Sequence, residues 1–347
     1  MKPARLTTAP HDKIVRMKNS ALPVLKEDWQ GNIVINGKFR DDTSPQKAPG
    51  RALIKWMLSR NPRRAEKRND KFRLPVQRFD PATMHENSIV WLGHSSFLID
   101  VGGVRLITDP CFFDLPSGRR KVPLPCPAEA LKTVHYLLVS HDHRDHFDKK
   151  SVEVLAQNNP GMEALIPLCG NRLFHSKKLS GIRRQEAGWW QEYNLTEGVR
   201  TKESVRVVFL PARHWGRRGL NDSNKTLWGS FLIIAGGTKG GTKIFFAGDT
   251  AYNKQMFKDI WNVFGDIDIC LLPIGAYSPP FMMQTAHMNP EEAAQAFMDL
   301  GGKCLIPMHY GTFNLSDEPP GEPLARLFRS DAGDKTKALA IGEIFLI

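Results

Sequence analysis

The residues with the clearest capacity for chemistry lie between Ser140 and Asp148, where the chain reads Ser-His-Asp-His-Arg-Asp-His-Phe-Asp. An apolar run from Val134 to Val139 precedes them and predicts a buried strand, so the cluster begins where a strand ends. Four of the residues offer imidazole nitrogens or a carboxylate, the ligands that borderline divalent metals prefer: His141, His143, Asp145 and His146. A lone histidine is usually a surface or core residue, but four such groups buried without a metal would leave polar atoms without partners. Alternation along the backbone places the ligands at two neighbouring points, which suits two metal ions.

This string resembles the signature of the metallo-β-lactamase superfamily. Three further residues stand in the order of that signature, each after an apolar, strand-like segment: His214, Asp249 and His309. Within the superfamily, the chain is similar to the N-acyl-phosphatidylethanolamine-hydrolysing phospholipases D. The similarity runs from about Ile89 to Phe313 and rests on the segments Trp91 to Ser96, Pro211 to Trp215, Leu227 to Ser230, Pro273 to Tyr277 and His309 to Phe313.

The resemblance implies an α/β fold, the four-layered αββα sandwich. It also implies a ligand set in which His141, His143 and His214 bind one ion, Asp145, His146 and His309 bind a second, and Asp249 bridges both. Zinc is the expected metal because the site is rich in histidine, with iron and manganese as alternatives. Such ions activate a water for hydrolysis. The residues expected to be catalytic are Asp145, Asp249 and His287, the last at the mouth of the site.

Other residues are candidates for substrate contact, each with a plainer alternative. Arg217 and Arg218 could present a fork to a phosphate, or could be ordinary surface arginines. Tyr277, Phe281 and Met282 could line a groove for acyl chains, or could be core residues. His94, in the loop between two predicted strands, could lie beside the metals or be purely structural. Gln284-Thr285-Ala286 departs from the animal phospholipases, which leaves headgroup and acyl preference open.

The composition indicates a large globular core with a basic N-terminal region. The 347 residues are 41% apolar and carry a net charge of +12. Residues 1–80 contain 19 lysines and arginines against 8 acidic residues, which leaves the remainder nearly neutral. We therefore predict a basic arm over residues 1–80 and a hydrolase domain over residues 81–347.

The basic arm includes a predicted short helix at residues 51–60. Its apolar face would carry Leu53, Trp56 and Met57, followed by the basic residues Arg63, Arg64, Lys67 and Arg68. Such a helix could lie at an anionic membrane surface, or the arm could be a solvated segment packed on the domain. Nucleic acid is not an expected partner, because aromatic residues are not interleaved with basic strands.

The five cysteines are scattered and odd in number, which favours a reducing compartment. No run approaches the roughly 20 apolar residues that span a bilayer, and the N-terminus lacks the apolar core of a secretory signal. We expect a cytoplasmic protein, or one bound peripherally to the cytoplasmic membrane face. A homodimer is compatible with the sequence.

Several elements are predicted from periodicity and capping. Strands are expected at 89–92, 96–100, 104–108, 205–210, 227–235, 243–246, 267–272 and 303–306. Asp148 and Asn289 are expected to cap helices. The glycines at 236, 237, 240 and 241 predict a hairpin turn, since no Gly-Lys-Ser/Thr of a phosphate-binding loop follows.

The function that these observations favour is hydrolysis of a phospholipid, N-acyl-phosphatidylethanolamine, to an N-acylethanolamine and phosphatidic acid. A lactonase or another phosphodiesterase on the same scaffold is the alternative enzyme, since a fold does not fix its substrate. A noncatalytic protein that binds lipid surfaces is the alternative from another class.

Overall fold

The computed structural model describes residues 13–40, 55–56, 58–195, 205–236 and 241–347. The strands in this part of the chain are β1 (Ile14–Met17), β2 (Asn32–Ile35), β3 (Lys38–Arg40), β4 (Ser88–Gly93), β5 (Ser96–Val101), β6 (Val104–Thr108), β7 (Tyr136–Leu138), β8 (Glu163–Pro167), β9 (Arg183–Ala187), β10 (Gln191–Glu192), β11 (Val205–Leu210), β12 (Ser230–Ala235), β13 (Thr242–Phe246), β14 (Ile269–Pro273), β15 (Cys304–Met308) and β16 (Ile344–Leu346). The α-helices are α1 (Arg64–Asn69), α2 (Lys149–Asn158), α3 (Lys254–Phe264), α4 (Pro280–Met283), α5 (Pro290–Asp299) and α6 (Glu322–Phe328). Short 3-10 turns lie at Pro81–Thr83, Ala128–Ala130, Gly170–Phe174 and Gly333–Lys335.

Two large mixed sheets form the framework. The first has the order β16-β4-β5-β6-β7-β8-β9, antiparallel from β16 to β6 and parallel from β6 to β9. The second has the order β10-β11-β12-β13-β14-β15, antiparallel up to β13 and parallel from β13 to β15. The parallel strands of each sheet bring their carboxyl ends to a shared edge, where loops can converge on one site.

The main core fills the space between the two sheets. Phe97 of β5 contacts Phe246 of β13 edge to face, with ring centroids 6.4 Å apart. On the outer side of the first sheet, Val152 and Leu155 of α2 join a second apolar cluster. On the outer side of the second sheet, Phe257 of α3 packs edge to face on Phe245. The layers are therefore helix, sheet, sheet and helix, as the resemblance implied.

The predicted helix caps are confirmed. The Asp148 carboxylate accepts hydrogen bonds from the amides of Lys150 and Ser151 and begins α2. Asn289 and Glu292 form a reciprocal capping box at the start of α5, with Pro290 at its first position. These local signals depend only on residues within one turn, which is why the sequence reveals them.

Some strand limits differ from those predicted. β7 is shorter than the apolar run 134–139, and β12 begins at Ser230 rather than at residue 227. Residues 227–229 are apolar or glycine, but they pair outside the strand: the Leu227 amide donates to Leu168 and the Gly229 amide donates to Ser140. Residues 237–240 of the predicted glycine turn lie outside the described residues. The flanking strands are antiparallel, with Ala235 opposite Thr242, as a hairpin requires.

The described residues of the N-terminal region pack on the rest of the chain. β1, β2 and β3 form a small antiparallel sheet, and an isolated bridge joins Val24 to Gln191 of β10. Of the predicted helix at 51–60, residues 51–54 and 57 lie outside the described residues. The Trp56 indole, for which both a membrane surface and packing on the domain were predicted as alternatives, donates a 2.8 Å hydrogen bond to Asp317. The domain limit at residue 80 stays a prediction.

No helix in the described ranges is both long enough and apolar enough to cross a bilayer.

Candidate metal centre

The loop after β7 is anchored to the loop after β6 by Asp109. The Asp109 carboxylate accepts hydrogen bonds from the Ser140 amide at 2.7 Å and the Ser140 hydroxyl at 2.5 Å. The same carboxylate lies 2.7 Å from Nδ1 of His146. The Asp109 carboxylate therefore orients the His146 ring so that Nε2 points away from Asp109. Asp109 belongs to no motif of the sequence, but β6 and β7 are parallel neighbours, and the residues that follow them meet at one edge of the sheet.

One group of predicted ligands consists of three histidines and Asp249. Nε2 of His141 lies 2.9 Å from Nδ1 of His143, and Nε2 of His214 lies 3.2 Å from the same atom. One donor atom from each of these residues and one oxygen of Asp249 lie within 4.8 Å of one another. Nδ1 of His214 is 2.9 Å from the carbonyl oxygen of Ala286, which orients the ring.

A second group lies beside the first. Its members have donor atoms within 4.8 Å of one another: His94, Asp145, His146 and His309. Oδ2 of Asp145 lies 3.2 Å from Nε2 of His94 and 3.8 Å from Nε2 of His309. The structure therefore places His94 beside the predicted ligands of the second ion.

Asp249 lies between the two groups. Its Oδ2 is 3.1 Å from Nε2 of His146 and 3.9 Å from Nε2 of His214, and its Oδ1 is 3.2 Å from Nε2 of His309. The residue before it, Gly248, has φ of +59°. A Cβ on Gly248 would lie 2.7 Å from Cβ of Ser140. Glycine therefore lets the Asp249 loop approach residues 140–148, here called the metal loop, closely.

The predicted ligands arrive from the carboxyl ends of several strands. His214 follows β11, Asp249 follows β13 and His309 follows β15. His309 has φ of +61°, and its amide donates to the carbonyl oxygen of His94 at 3.1 Å. All seven predicted ligands are thus brought together, although they span residues 141 to 309.

Burial sets the charge state of the first group. It lowers the pKa of His143 to about 4 and those of His141 and His214 well below the usual value. Neutral imidazoles keep a free lone pair, which is the form that binds a metal. Burial alone would raise the pKa of Asp249, but the positive field of His146 and other histidines holds it well below its usual range. The first group thus combines neutral nitrogen donors with an ionised carboxylate.

The residues fit a pair of divalent cations. Among the described residues, several buried polar atoms of the cluster have no hydrogen-bond partner: Nε2 of His143, Nε2 of His146, Nε2 of His309 and Oδ1 of Asp249. Of these atoms, Nε2 of His146 lies 3.1 Å from Oδ2 of Asp249, and Nε2 of His309 lies 3.2 Å from Oδ1 of Asp249. Nitrogen and oxygen donors in this arrangement are typical ligands of zinc and related metals.

His287 lies at the edge of the cluster with 14% of its side chain exposed. Its Nδ1 is 3.8 Å from Oδ2 of Asp249, and its ring meets that of His214 edge to face. Burial lowers the pKa of His287 to about 4. The structure therefore places it beside Asp249 and open to solvent, at the mouth of the centre.

The predicted substrate-binding arginines have protein partners. Nη1 of Arg218 donates to the carbonyl oxygen of Asp142 at 3.1 Å, and its guanidinium lies over the Phe147 ring. Nε of Arg217 donates to the carbonyl oxygen of Gly219 at 2.9 Å. Arg218 thus braces the metal loop from behind, and its contact with phosphate stays a prediction.

The three residues predicted to line an apolar groove differ in their exposure to solvent. Tyr277 is buried, and its hydroxyl donates a 2.7 Å hydrogen bond to Glu322, away from the ligand cluster. Phe281 in α4 is 48% exposed, and Met282 is partly exposed. Phe281 and Met282 are thus accessible a few residues before His287, whereas Tyr277 packs in the wall.

Comparison with known proteins identifies the fold and its sequence relatives. The model of the beta-lactamase superfamily domain matches residues 104–310. Igni18, a metallo hydrolase of Ignicoccus hospitalis, superposes with a TM-score of 0.56 at 21% identity, over 75% of this chain and 98% of that one. This likeness shows the shared fold.

Relatives of known name lie in two groups. The chain is 32% identical over 252 residues to N-acyl-phosphatidylethanolamine-hydrolyzing phospholipase D 1 of Caenorhabditis elegans, covering 69% of each protein. It is 29% identical over 320 residues to the mitochondrial N-acyl-phosphatidylethanolamine-hydrolyzing phospholipase D of Saccharomyces cerevisiae, covering 90% of this chain and 63% of that protein. A UPF0173 metal-dependent hydrolase of Pyrobaculum arsenaticum is 29% identical over 242 residues, or 69% of this chain and 91% of that protein. This chain therefore belongs to the metallo-β-lactamase superfamily as a metal-dependent hydrolase, and it is a relative of the N-acyl-phosphatidylethanolamine-hydrolysing phospholipases D.

Proposed function

We propose that this protein is a dinuclear phosphodiesterase that hydrolyses N-acyl-phosphatidylethanolamine to phosphatidic acid and an N-acylethanolamine. The observation that supports the chemistry is the pair of donor groups that meet at Asp249. The relationship to the nematode and yeast proteins supports the substrate class. An exposed apolar residue in the helix that precedes His287, Phe281, is compatible with a lipid ligand.

Seven residues would hold the cations. His141, His143 and His214 would bind one, Asp145, His146 and His309 the other, and Asp249 both. When bound, two divalent cations, zinc by preference with iron or manganese as alternatives, lower the pKa of a water and neutralise charge on the phosphate. Asp109 holds His146 and the Ala286 carbonyl holds His214 in the orientation that this requires.

His287 is positioned to interact with the leaving group of the substrate. It lies at the mouth, beside Asp249, and is not a member of either predicted ligand set, although its donor atom also lies within 4.8 Å of donor atoms of Asp249 and His309. Its imidazole would orient the headgroup or assist the departing alkoxide oxygen. Asp145 and Asp249 serve the reaction through the position and charge of their carboxylates.

The surroundings of the mouth suit an amphiphile. Trp215 is 37% exposed and meets the His143 ring edge to face, at 4.5 Å between centroids. Phe281 and Met282 lie a few residues before His287 and would contact an acyl chain. Arg217 and Arg218 have further N–H groups beyond those in the hydrogen bonds described above, so both are candidates for headgroup contact, whereas the Tyr277 hydroxyl is engaged with Glu322.

The basic N-terminal region would draw the protein to an anionic membrane surface. Arg60, Arg64 and Lys71 are exposed, and each basic residue near such a surface contributes about 1 kcal/mol. This supports a peripheral location on the cytoplasmic face of a membrane. A homodimer is a further proposal that the size of the active protein in solution would test.

The experiment that tests this function is metal analysis followed by a substrate screen. Protein reconstituted with zinc, iron or manganese would be assayed on N-acyl-phosphatidylethanolamine, on another phosphodiester and on a lactone. We expect about two ions per chain and release of phosphatidic acid. Turnover of the lactone alone would favour the alternative that the UPF0173 relatives raise, that of another hydrolase on this scaffold. Full metal loading with no turnover of any substrate would favour a lipid-binding role.

A further inference from the structure

A cavity of about 350 Å³ adjoins the metal centre on the side of His94 and His309. Its walls come from the loop after β15 and from the N-terminal segment 67–73. A more open cavity of about 430 Å³ shares Lys67, Arg68 and residues 314–316 with it and extends towards Trp56. The first cavity, here called the cationic cavity, is large enough for a small polar group and reaches the surface.

Basic side chains outnumber acidic ones in the lining of the cationic cavity. Four are cationic: Lys67, Arg68, Arg73 and Lys121. Lys67 is half-buried, and the other three are exposed at its mouth. In the described part of the chain, none of the four makes an ion pair with a carboxylate within 4.0 Å. The cavity therefore carries positive charge without a protein counter-ion in contact.

The acidic residues of the lining are committed to backbone groups. Asp70 accepts hydrogen bonds from the amides of Phe72 at 2.7 Å and Gly321 at 2.8 Å. Glu318 accepts from the amides of Ala276 at 2.7 Å and Ser278 at 3.1 Å. These carboxylates hold the walls together, so they are not free to pair with the exposed basic side chains.

One residue, Thr312, connects the lining of the cavity to the metal centre through hydrogen bonds. Its carbonyl oxygen accepts from the Lys121 amide at 2.8 Å, and its hydroxyl accepts from the His94 amide at 2.8 Å. The ring of Phe313 meets that of His94 edge to face, at 5.2 Å. The backbone of Lys121 is thus fixed relative to the histidines at the centre.

The charge balance of the cavity leaves room for an anion. Burial lowers the pKa of Lys67, the carboxylates of Glu318 and Asp317 raise it, and the ammonium of Lys121 lowers it again. The ammonium of Lys67 donates a hydrogen bond to the Ser316 carbonyl oxygen and is attracted to Glu318 and Asp317, while Lys67 and Lys121 repel one another. An anion between them would relieve this repulsion, and its hydrogen bonds to charged donors would be stronger than those between neutral groups.

We infer that the cationic cavity is a subsite for a second oxyanion, a carboxylate or phosphate carried by the headgroup of the phosphodiester whose scissile phosphate lies at the metal centre. This inference rests on the proposed function and extends its substrate class. The headgroup of N-acyl-phosphatidylethanolamine carries no second anion, so the preferred substrate would be an N-acylated phospholipid with an anionic headgroup. Free phosphate has the same chemistry and is the other source of such an anion.

A matched pair of lipids tests the headgroup. N-acyl-phosphatidylserine and N-acyl-phosphatidylethanolamine differ by one carboxylate next to the acylated nitrogen. In mixed micelles of fixed composition, we expect kcat/KM to be at least tenfold higher for the serine lipid, the effect of one charge-assisted hydrogen bond. In Lys121→Met and in Arg68→Met the ratio of the two kcat/KM values should fall towards one. Lys177→Met, which removes an exposed charge outside the cavity, should keep the ratio of the parent protein.

A binding experiment tests the anion site without turnover. Lysine acetylation of the metal-loaded protein would be followed by peptide mass spectrometry, with and without inorganic phosphate. We expect phosphate to protect Lys121 at least severalfold and to leave Lys177 unprotected, and we expect Arg68→Met to lose the protection of Lys121. Circular dichroism of each variant would confirm that it is folded.

The outcomes separate the two proposals. Equal kcat/KM for the two lipids, or a preference that survives in both Lys121→Met and Arg68→Met, would overturn the subsite for a headgroup. Protection by phosphate without a headgroup preference would also overturn it and would assign the cavity to free phosphate. Hydrolysis of neither lipid would contradict the proposed function instead, and the protection of Lys121 would then decide whether the anion site exists.

Discussion

Nε2 of His94 lies 3.2 Å from Oδ2 of Asp145, and this pair joins the turn between β4 and β5 to the metal loop. His94 has φ of +55°, and its backbone is held on both sides. Its carbonyl oxygen accepts from Nε1 of Trp91 at 2.9 Å and from the His309 amide at 3.1 Å. The turn is therefore a fixed support for the carboxylate of Asp145.

From this relationship we expect His94→Phe to weaken the binding of one metal ion by roughly 10- to 100-fold, as loss of an orienting partner typically does. Phenylalanine keeps a ring against Phe313 and His309 but has no nitrogen for Asp145. Competition with a chromogenic chelator would measure the affinity of each ion. Phe313→Leu is the matched control, because it changes the packing of the same ring and leaves Nε2 in place. Unchanged affinity for both ions in His94→Phe would show that the pair does not support the site.

The role of His94 shows where sequence reasoning reached its limit. The alternation of residues 89–100 predicts two strands with His94 between them, and the structure confirms both strands. The contact of His94 with Asp145 depends on a distant loop, because the hydroxyl of Thr312 accepts a hydrogen bond from the His94 amide. Asp109 was missed for the same reason: its partners, Ser140 and His146, are more than 30 residues away. Ligand types and order could be read from the sequence, but the groups that orient them could not.

A second prediction concerns the residue between the two donor groups. Asp249→Ala should lose both ions, because the carboxylate contacts histidines of each group and its charge offsets theirs. Elemental analysis after exhaustive dialysis would measure metal content, and activity should fall with it. Asp268→Asn is the control, since that carboxylate pairs with Lys303 on the surface. Retention of two ions in Asp249→Ala would contradict the bridging role.

A third prediction concerns the basic surface. Removing residues 1–60 would also remove packing, because the Leu25 amide donates to Trp190 and Asn19 hydrogen-bonds Gln191. Charge substitutions are therefore the better test. The triple variant with Gln at Arg60, Arg64 and Lys71 should bind anionic vesicles more weakly by about 3 kcal/mol at low salt, about 1 kcal/mol for each charge. Vesicle sedimentation would measure this.

The control for the third prediction is a triple variant with Gln at Lys132, Lys177 and Lys178, exposed lysines of the remaining chain. It has the same net charge as the test variant. We expect it to bind anionic vesicles nearly as well as the parent protein, and we expect salt to abolish the difference. An equal loss in both variants would show that only net charge matters, and would refute a membrane-binding face at the N-terminal region.

The substrate contacts illustrate a second limit of the sequence. Tyr277 was placed in an acyl groove because aromatic and methionine residues follow one another at 277–283. The structure buries Tyr277 and exposes Phe281. The Tyr277 hydroxyl donates to Glu322, which also pairs with Arg63. A local run of apolar residues predicts burial, but it does not distinguish a wall of the protein from a surface that receives ligand.

The last prediction concerns His287, which lies beside Asp249 without being needed to complete either set of predicted ligands. His287→Ala should keep its metal content and should slow hydrolysis of a lipid with an alkoxide leaving group by roughly 100-fold. A nitrophenyl phosphodiester needs less assistance from a hydrogen-bond donor, so its hydrolysis should slow less. Gln284→Ala, a change at a nearby exposed side chain, is the control for disturbance of the mouth. Equal slowing of both substrates would leave His287 with an orienting role alone, and loss of metal would show that it is a ligand.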